Sequence, residues 1–127
     1  MKLQVHWSEA EQVMLILTDE VVLKDAESVR EFKDAIIPTL KAHKQKMPLV
    51  ICIDGMVIRP SAAQLYGDAA KEIIGYTTAF ARYGKAGTVQ MVIAAEALRN
   101  HLYPNIFDNR AAAVGFVQAS AAKNGSG

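Results

Sequence analysis

The apolar run from Leu49 to Ile53, which ends at Asp54-Gly55, limits the fold of this chain more than any other feature. It lies in the segment PLVICID, which is short, almost wholly apolar and bounded by proline and glycine. Such a segment is typical of a strand that is buried on both faces because helices cover both sides of its sheet. The run therefore predicts a central strand of an α/β domain.

Hydrophobic periodicity predicts the elements that precede this strand. LQVHW alternates and VMLILT is a dense apolar run, so Leu3–Trp7 and Val13–Thr18 are expected to form a hairpin. A helix should follow, because the next apolar residues are spaced three or four apart, at Val29, Phe32, Ile36 and Leu40. Pro38 lies inside this pattern and removes one backbone donor, so it is expected to kink the helix or to break it in two.

The second half of the chain is predicted to alternate between helices and strands. A long helix is predicted over residues 61–84, a strand over Val89–Ala94 and a short helix that ends at Pro104. A short extended piece, NIF, then leads to a last helix capped by Asp108 or Asn109. The predicted order is ββαβαβα, an extended piece and a final helix, which is typical of an α/β sandwich with crossover connections.

The predicted long helix carries two apolar stripes. One consists of Leu65, Ala69, Ile73, Tyr76, Phe80 and Tyr83, and the second, beside it, consists of Tyr66, Ala70, Ile74 and Ala81. A helix this apolar has more surface to cover than one sheet face requires. Tyr66, Ala70 and Ile74 are therefore candidate interface residues, which should contact a partner, a second copy in a homodimer, or the last helix.

Length and composition are those of one soluble domain. The chain has 127 residues and a net charge of +1, which gives no strong field toward nucleic acid or an anionic membrane. A lone cysteine, Cys52, suits a reducing cytoplasm, and no run approaches the roughly 18 apolar residues of a membrane span. We expect a cytoplasmic protein with one domain over residues 1–122 and a disordered tail over residues 123–127.

No residue pattern in the chain predicts a metal, cofactor or catalytic site. His6, His43 and His101 are far apart, and there is no HExxH, CxxC, GxGxxG or phosphate-binding loop. Cys52 lies in the apolar run, where it is interpreted as a small core residue. The expectation is therefore a protein with no catalytic residues, no metal and no cofactor, and an enzyme is the less favoured class.

Ser61 is the residue with two competing interpretations. With Gln64 it forms the pattern S-x-x-Q, which predicts a capping box that starts the following helix. In that case its hydroxyl accepts a hydrogen bond from the backbone and has a structural role only. The alternative is that Ser61 is a site of chemical modification.

A family resemblance favours that alternative. The segment VICIDGMVIRPSAAQ resembles the central strand and switch loop of STAS domains of the anti-sigma-factor antagonist type. Gly55 matches the glycine after the strand, and Ser61 falls on the serine that a partner kinase phosphorylates in many antagonists. Pro60 stands where the family has its acid, and AAQL replaces Ser-Gly-Leu-Gly, so the switch loop is divergent. The resemblance implies a partner-binding loop made of Asp54, Gly55, Arg59 and Ser61.

The end of the chain also resembles small proteins of the SpoIIAA-like, STAS/Sec14-like branch. In these a strand is followed by a helix, an extended P-x-x-x-F piece and a helix with a recurring apolar pattern. The matching positions here are Pro104, Phe107, Asn109, Ala113, Phe116 and Val117. The resemblance implies a single STAS-like α/β domain with a mixed four- to five-stranded sheet and helices mainly on one face.

The implied function is a non-enzymatic regulatory module of the bacterial cytoplasm. It would bind a partner protein, an anti-sigma factor or related kinase, through the Ser61 loop and the following helix. The first alternative is a small-ligand module that holds a lipid-like apolar molecule between the long helix and the sheet. The second is an enzyme that uses residues the patterns do not mark.

Overall fold

The computed structural model describes the backbone of residues 1–125 and the side chains of residues 1–122. Residues 126 and 127, part of the tail expected at 123–127, lie outside the described residues. The elements in chain order are β1 (Lys2–Ser8), β2 (Val13–Asp19), β3 (Val21–Leu23), α1 (Ala26–Lys41), β4 (Met47–Cys52), β5 (Met56–Ile58), a 3-10 turn (Pro60–Ala62), α2 (Ala63–Ile74), β6 (Thr77–Tyr83), α3 (Gly87–Arg99), β7 (Ile106–Phe107) and α4 (Arg110–Gly125).

Five strands form one mixed sheet in the order β1-β2-β4-β6-β7. β1 and β2 are an antiparallel hairpin, and β2, β4, β6 and β7 pair in parallel. β4 is central, because Leu49 lies opposite Met14 of β2 on one side and Phe80 of β6 on the other. The predicted hairpin, the central strand and the small α/β domain with a mixed sheet are confirmed.

Each face of the sheet has its own core, because successive residues of a strand point to opposite sides. One face carries Met14, Ile16, Leu49 and Ile51 and packs on α1, α2 and α3. The other face is covered by α4, and its core consists of Val13, Leu15, Val50, Ala79, Ala81, Ala113, Val114 and Val117. Three helices thus share one face and a single helix covers the other.

A small second sheet continues from the ends of two central strands. β3 follows β2, β5 follows β4, and the two short strands pair in parallel. Val21, Leu23, Met56 and Ile58 point into the core. Val22 and Val57 lie opposite each other and point outward, with 38% and 44% of their surfaces exposed. We call this pair of strands the β3–β5 ribbon.

The predicted long helix over residues 61–84 is wrong in its second half. α2 ends at Ile74, and residues 77–83 form β6 beside the central strand. The spacing of Ile73, Tyr76 and Phe80 imitates a helical stripe, but in the structure Ala79 and Ala81 point to one face of the sheet and Phe80 to the other. β6 pairs with β4 and buries Ala79 and Ala81 under α4. This tertiary pairing, and not the local residue pattern, makes residues 77–83 a strand.

The predicted strand over Val89–Ala94 is also wrong, since these residues lie within α3. Its buried residues are Val89, Ile93, Glu96 and Ala97, which have helical spacing. The apolar run resembled a buried strand because the outward side of α3 is apolar as well. The short helix expected to end at Pro104 is the last part of this same helix, which ends at Arg99.

Two local predictions have different outcomes. Pro38 does not break the first helix, which continues to Lys41, because the proline is on the exposed side and Ala42 N–H still bonds the Pro38 carbonyl at 3.0 Å. The predicted cap of the last helix is confirmed for Asn109, whose Oδ1 accepts from the Ala112 amide at 2.9 Å. The extended NIF piece is confirmed as β7.

Two glycine substitutions provide a test of this architecture. A Cβ at position 55 would lie 2.0 Å from the Thr18 carbonyl oxygen, so Gly55→Ala must displace backbone and should lower the free energy of unfolding by about 2 kcal/mol. Gly115 lies within α4 with open space around it, so Gly115→Ala should raise that free energy by about 0.5–1 kcal/mol. Urea unfolding of both variants checks the pair, and equal effects of the same sign would contradict the close approach at Gly55.

Candidate functional site

Asp54 connects two loops at the carboxyl ends of the parallel strands. Its Oδ1 accepts a hydrogen bond from the backbone amide of Lys85 at 2.8 Å. Gly84 lies against the same carboxylate with φ of +145°, and a Cβ there would approach Oδ1 to 2.7 Å. The glycine is therefore required both for its conformation and for the close contact. Asp54 acts here as a structural link between the β4–β5 and β6–α3 connections.

Gly55 lies between β4 and β5, where the main sheet ends and the β3–β5 ribbon begins. Its carbonyl accepts from the Val21 amide at 2.9 Å. The backbone of Thr18 passes too close to position 55 for any side chain to fit without movement. The resemblance placed Gly55 in a partner loop, and the structure gives it a steric role at the base of that loop.

Ser61 does not form the predicted capping box, which is therefore wrong. α2 begins at Ala63, within two residues of Ser61 as predicted, but within the described residues no side chain caps α2 or the 3-10 turn. Ser61 lies inside that turn, whose own bond runs from the Ala62 amide to the Arg59 carbonyl at 2.9 Å. The Ser61 hydroxyl instead donates to the Lys24 carbonyl at 2.7 Å and remains exposed.

The structure divides the predicted partner loop into two places. Asp54 and Gly55 precede β5, and Arg59 and Ser61 follow it, so the two pairs are about 10 Å apart along the strand. Arg59 and Ser61 lie beside Lys24, since the Arg59 amide bonds the Leu23 carbonyl at 2.8 Å. A continuous surface results, which we call the ribbon surface and which consists of Val22, Lys24, Val57, Arg59 and Ser61.

Tyr66, Ala70 and Ile74 face the interior of the same chain. Tyr66 is 3% exposed, and its ring centroid lies 6.4 Å from that of Phe32 on α1. All three residues line the space between α2, α3 and the sheet. The expectation that they lie under the last helix is wrong, because α4 covers the opposite face. The buried Tyr66 also has no surface to offer a second copy.

Arg82 is a buried cation that the sequence patterns did not mark, because it fell inside the predicted long helix. It is 4% exposed, and its Nη1 donates to the Pro104 carbonyl at 2.7 Å. Its Nε has no hydrogen-bond partner among the described residues. It lies at a cavity of about 10 Å³ between α2 and the sheet, which is room for about one water molecule. The only sign of a buried arginine in the sequence was its place among apolar residues, in a segment that forms a strand.

The remaining reactive groups are dispersed. Cys52 is the last residue of β4 and only partly buried, so it is less enclosed than the predicted core cysteine. Tyr83 lies opposite it on β6, and burial raises the pKa of the Tyr83 phenol to about 12. Within the described residues no three His, Cys, Asp or Glu side chains converge on a possible metal position. In the same part of the chain, no helix is long and apolar enough to cross a membrane.

Comparison with known proteins finds no family model that matches the chain and no curated protein with significant sequence similarity to it. The resemblance to STAS domains therefore stays a prediction, which depends on the residues quoted above.

Substitution of two serines distinguishes a true capping box from the arrangement at Ser61. The true box starts α1, where Asp25 Oδ1 accepts from the Ser28 amide at 2.9 Å and Ser28 Oγ accepts from the Asp25 amide at 3.1 Å. Ser28→Ala should cost about 1–2 kcal/mol of unfolding free energy, because the backbone amides of Lys24 and Asp25 both lose their acceptor. Ser61→Ala removes one exposed bond and should cost about 0.5 kcal/mol.

Gln64→Ala is the control for the capping box that was predicted between Ser61 and Gln64 and that the structure does not show. Gln64 is exposed, so the substitution should change stability by less than about 0.5 kcal/mol. Denaturant unfolding of the three single variants is the measurement. A cost for Gln64→Ala as large as that for Ser28→Ala would restore the capping box at Ser61.

Proposed function

We propose that this protein is a non-enzymatic regulatory module of STAS-like type that binds a partner protein through the ribbon surface. The observation that carries the proposal is the outward pair Val22 and Val57, which are 38% and 44% exposed on adjacent strands. Two large β-branched residues side by side offer apolar contact area, and both are held on a backbone fixed by the core below.

The charges around the two valines indicate the chemistry of the partner. Lys24 and Arg59 are exposed beside the ribbon. A partner that covers this surface should therefore present an apolar patch flanked by carboxylates, because opposite charges speed association and select the partner. By resemblance, an anti-sigma factor or a related kinase of the bacterial cytoplasm is the proposed partner.

Ser61 provides a physical switch on this surface. Its hydroxyl hydrogen is used in the bond to the Lys24 carbonyl. Phosphorylation replaces that hydrogen, so the ester oxygen can no longer donate and the bond is lost. The phosphate adds up to about two negative charges at pH 7 beside Lys24 and Arg59. It would neutralise the basic rim and thereby weaken binding of an acidic partner.

Modification of Ser61 is tested by the intact mass of the protein purified from its own host. The proposal predicts a phosphate adduct in the wild type that is absent from Ser61→Ala, in at least one growth state. Ser28→Ala should retain the adduct, because Ser28 is buried. An unmodified wild type in every growth state would remove the switch from the proposal.

The partner surface is tested separately. Tagged wild type should retain one identified protein, and Val57→Asp should lose it, because a carboxylate then stands in the apolar contact. His43→Asp is the matched control, since His43 is exposed in the α1–β4 loop. Binding of the purified partner, measured by calorimetry, should weaken at least tenfold for Val57→Asp only. Equal binding by all three proteins would exclude the ribbon surface.

A second candidate function is binding of a small amphipathic anion, favoured by the unpartnered Nε of buried Arg82. A buried guanidinium is stabilised when a carboxylate pairs with it. The cavity beside it now has room for about one water, so an alkyl chain must push α2 outward.

Thermal unfolding with octanoate and with octanol tests this second function. A ligand that binds only the folded state raises the melting temperature. Octanoate should raise it more than octanol, and Arg59→Gln, which alters an exposed arginine, should leave the difference unchanged. Equal shifts from the two probes, or no shift from octanoate, would contradict the anion site.

A further inference from the structure

The outward side of α3 carries no charged side chain from Gly87 to Leu98, and the exposed Arg99 lies at its end. It consists of Gly87, Thr88, Met91, Ala94, Ala95 and Leu98, all exposed. Met91 and Leu98 are 75% and 78% exposed, which makes them among the most exposed large apolar side chains that the structure describes. A surface helix normally directs polar residues outward, so an apolar outward side is typical of an interaction surface.

The charged residues of α3 are directed elsewhere. Its sequence contains only Glu96 and Arg99 as charged residues. Arg99 Nε donates to Glu96 Oε1 at 2.8 Å, and Arg99 Nη2 donates to Asp68 Oδ1 of α2 at 2.9 Å. Arg99 therefore holds α3 against α2, and Glu96 pairs with Arg99 within α3. Because Arg99 is already paired with two carboxylates, a partner with an equally uncharged surface fits the outward side best.

The outward side is complementary to itself. Met91 and Leu98 lie at equal distances in sequence from the midpoint of Ala94-Ala95. When a second α3 is placed antiparallel with a two-fold axis at that midpoint, Met91 of each copy meets Leu98 of the other. The two alanines at the crossing allow the helix axes to approach closely. A two-fold interface requires such self-complementarity, because each residue pair occurs twice.

The antiparallel arrangement also places the N-terminus of each α3 near the C-terminus of the other, so the two helix dipoles attract each other.

We propose that the outward side of α3 is a homodimer interface, with two copies packed antiparallel about a two-fold axis at Ala94-Ala95. A standard interface takes about 800 Å² from each partner, and a single helix side supplies less. The dimer should therefore be reversible and concentration-dependent. The interface is separate from the ribbon surface, so it does not depend on the proposed regulatory function.

Sedimentation over a concentration series tests the dimer. The wild-type mass should rise from one chain toward two as concentration increases from about 1 μM to about 1 mM. Leu98→Lys should remain at one chain throughout. Leu65→Lys is the matched control, because Leu65 is 40% exposed on α2 and should leave the wild-type behaviour unchanged. A one-chain mass for the wild type at all concentrations would overturn the proposal.

Disulfide cross-linking in a Cys52→Ala background tests the geometry. Ala95→Cys lies near the axis and should cross-link to its own copy under mild oxidation. Thr88→Cys should not, because its counterpart lies about 20 Å away along the antiparallel helix. A mixture of Met91→Cys and Leu98→Cys should give mixed dimers in preference to either like pair. Cross-linking of Thr88→Cys as fast as Ala95→Cys would indicate parallel packing and overturn the proposed axis.

Discussion

Burial of β4 on both faces is the constraint on which the rest of the structure depends. Leu49 and Val50 are both fully buried, yet they point to opposite sides of the sheet. Backbone pairing with β2 and β6 satisfies the polar groups of the strand, and helices must then cover both of its apolar sides. The need to cover both apolar sides is met by α1, α2 and α3 on one face and by α4 on the other. It also gathers the carboxyl ends of the parallel strands at one edge, where Asp54 links two loops.

The fold was predictable wherever one local signal acted alone. Leu49–Ile53 is too short and too apolar for a surface element, the first strand of the hairpin has a clear period of two, and α1 has a clear period of 3.6. The prediction failed at β6, where Tyr76 and Phe80 continue a helical spacing by coincidence and only pairing with β4 selects the strand. It failed at Val89–Ala94 because a short apolar run does not by itself distinguish a strand from a helix, here one whose exposed side is apolar as well.

The candidate site was predictable in its location and less so in its contacts. A helix start near Ser61 followed from the pattern of residues, but the partner of its hydroxyl, the Lys24 carbonyl, lies 37 positions earlier in the chain. No local motif encodes such a pairing, so the capping box was the wrong interpretation. Arg82 was hidden for a similar reason, because its burial depends on loops that meet only in the folded chain.

The position of α4 in chain order has a consequence for how the protein is made. Among the described elements, α4 follows all seven strands, and it is the one helix there that covers the side of the sheet carrying Val13, Leu15 and Val50. During synthesis the sheet can therefore pair its strands while this side remains open to water. A nascent chain at that stage exposes a flat apolar surface, the kind of surface on which partly folded chains associate with one another. Translation pauses before residue 110 should thus be a hazard to solubility, and a chaperone that holds this surface would protect the chain until α4 emerges.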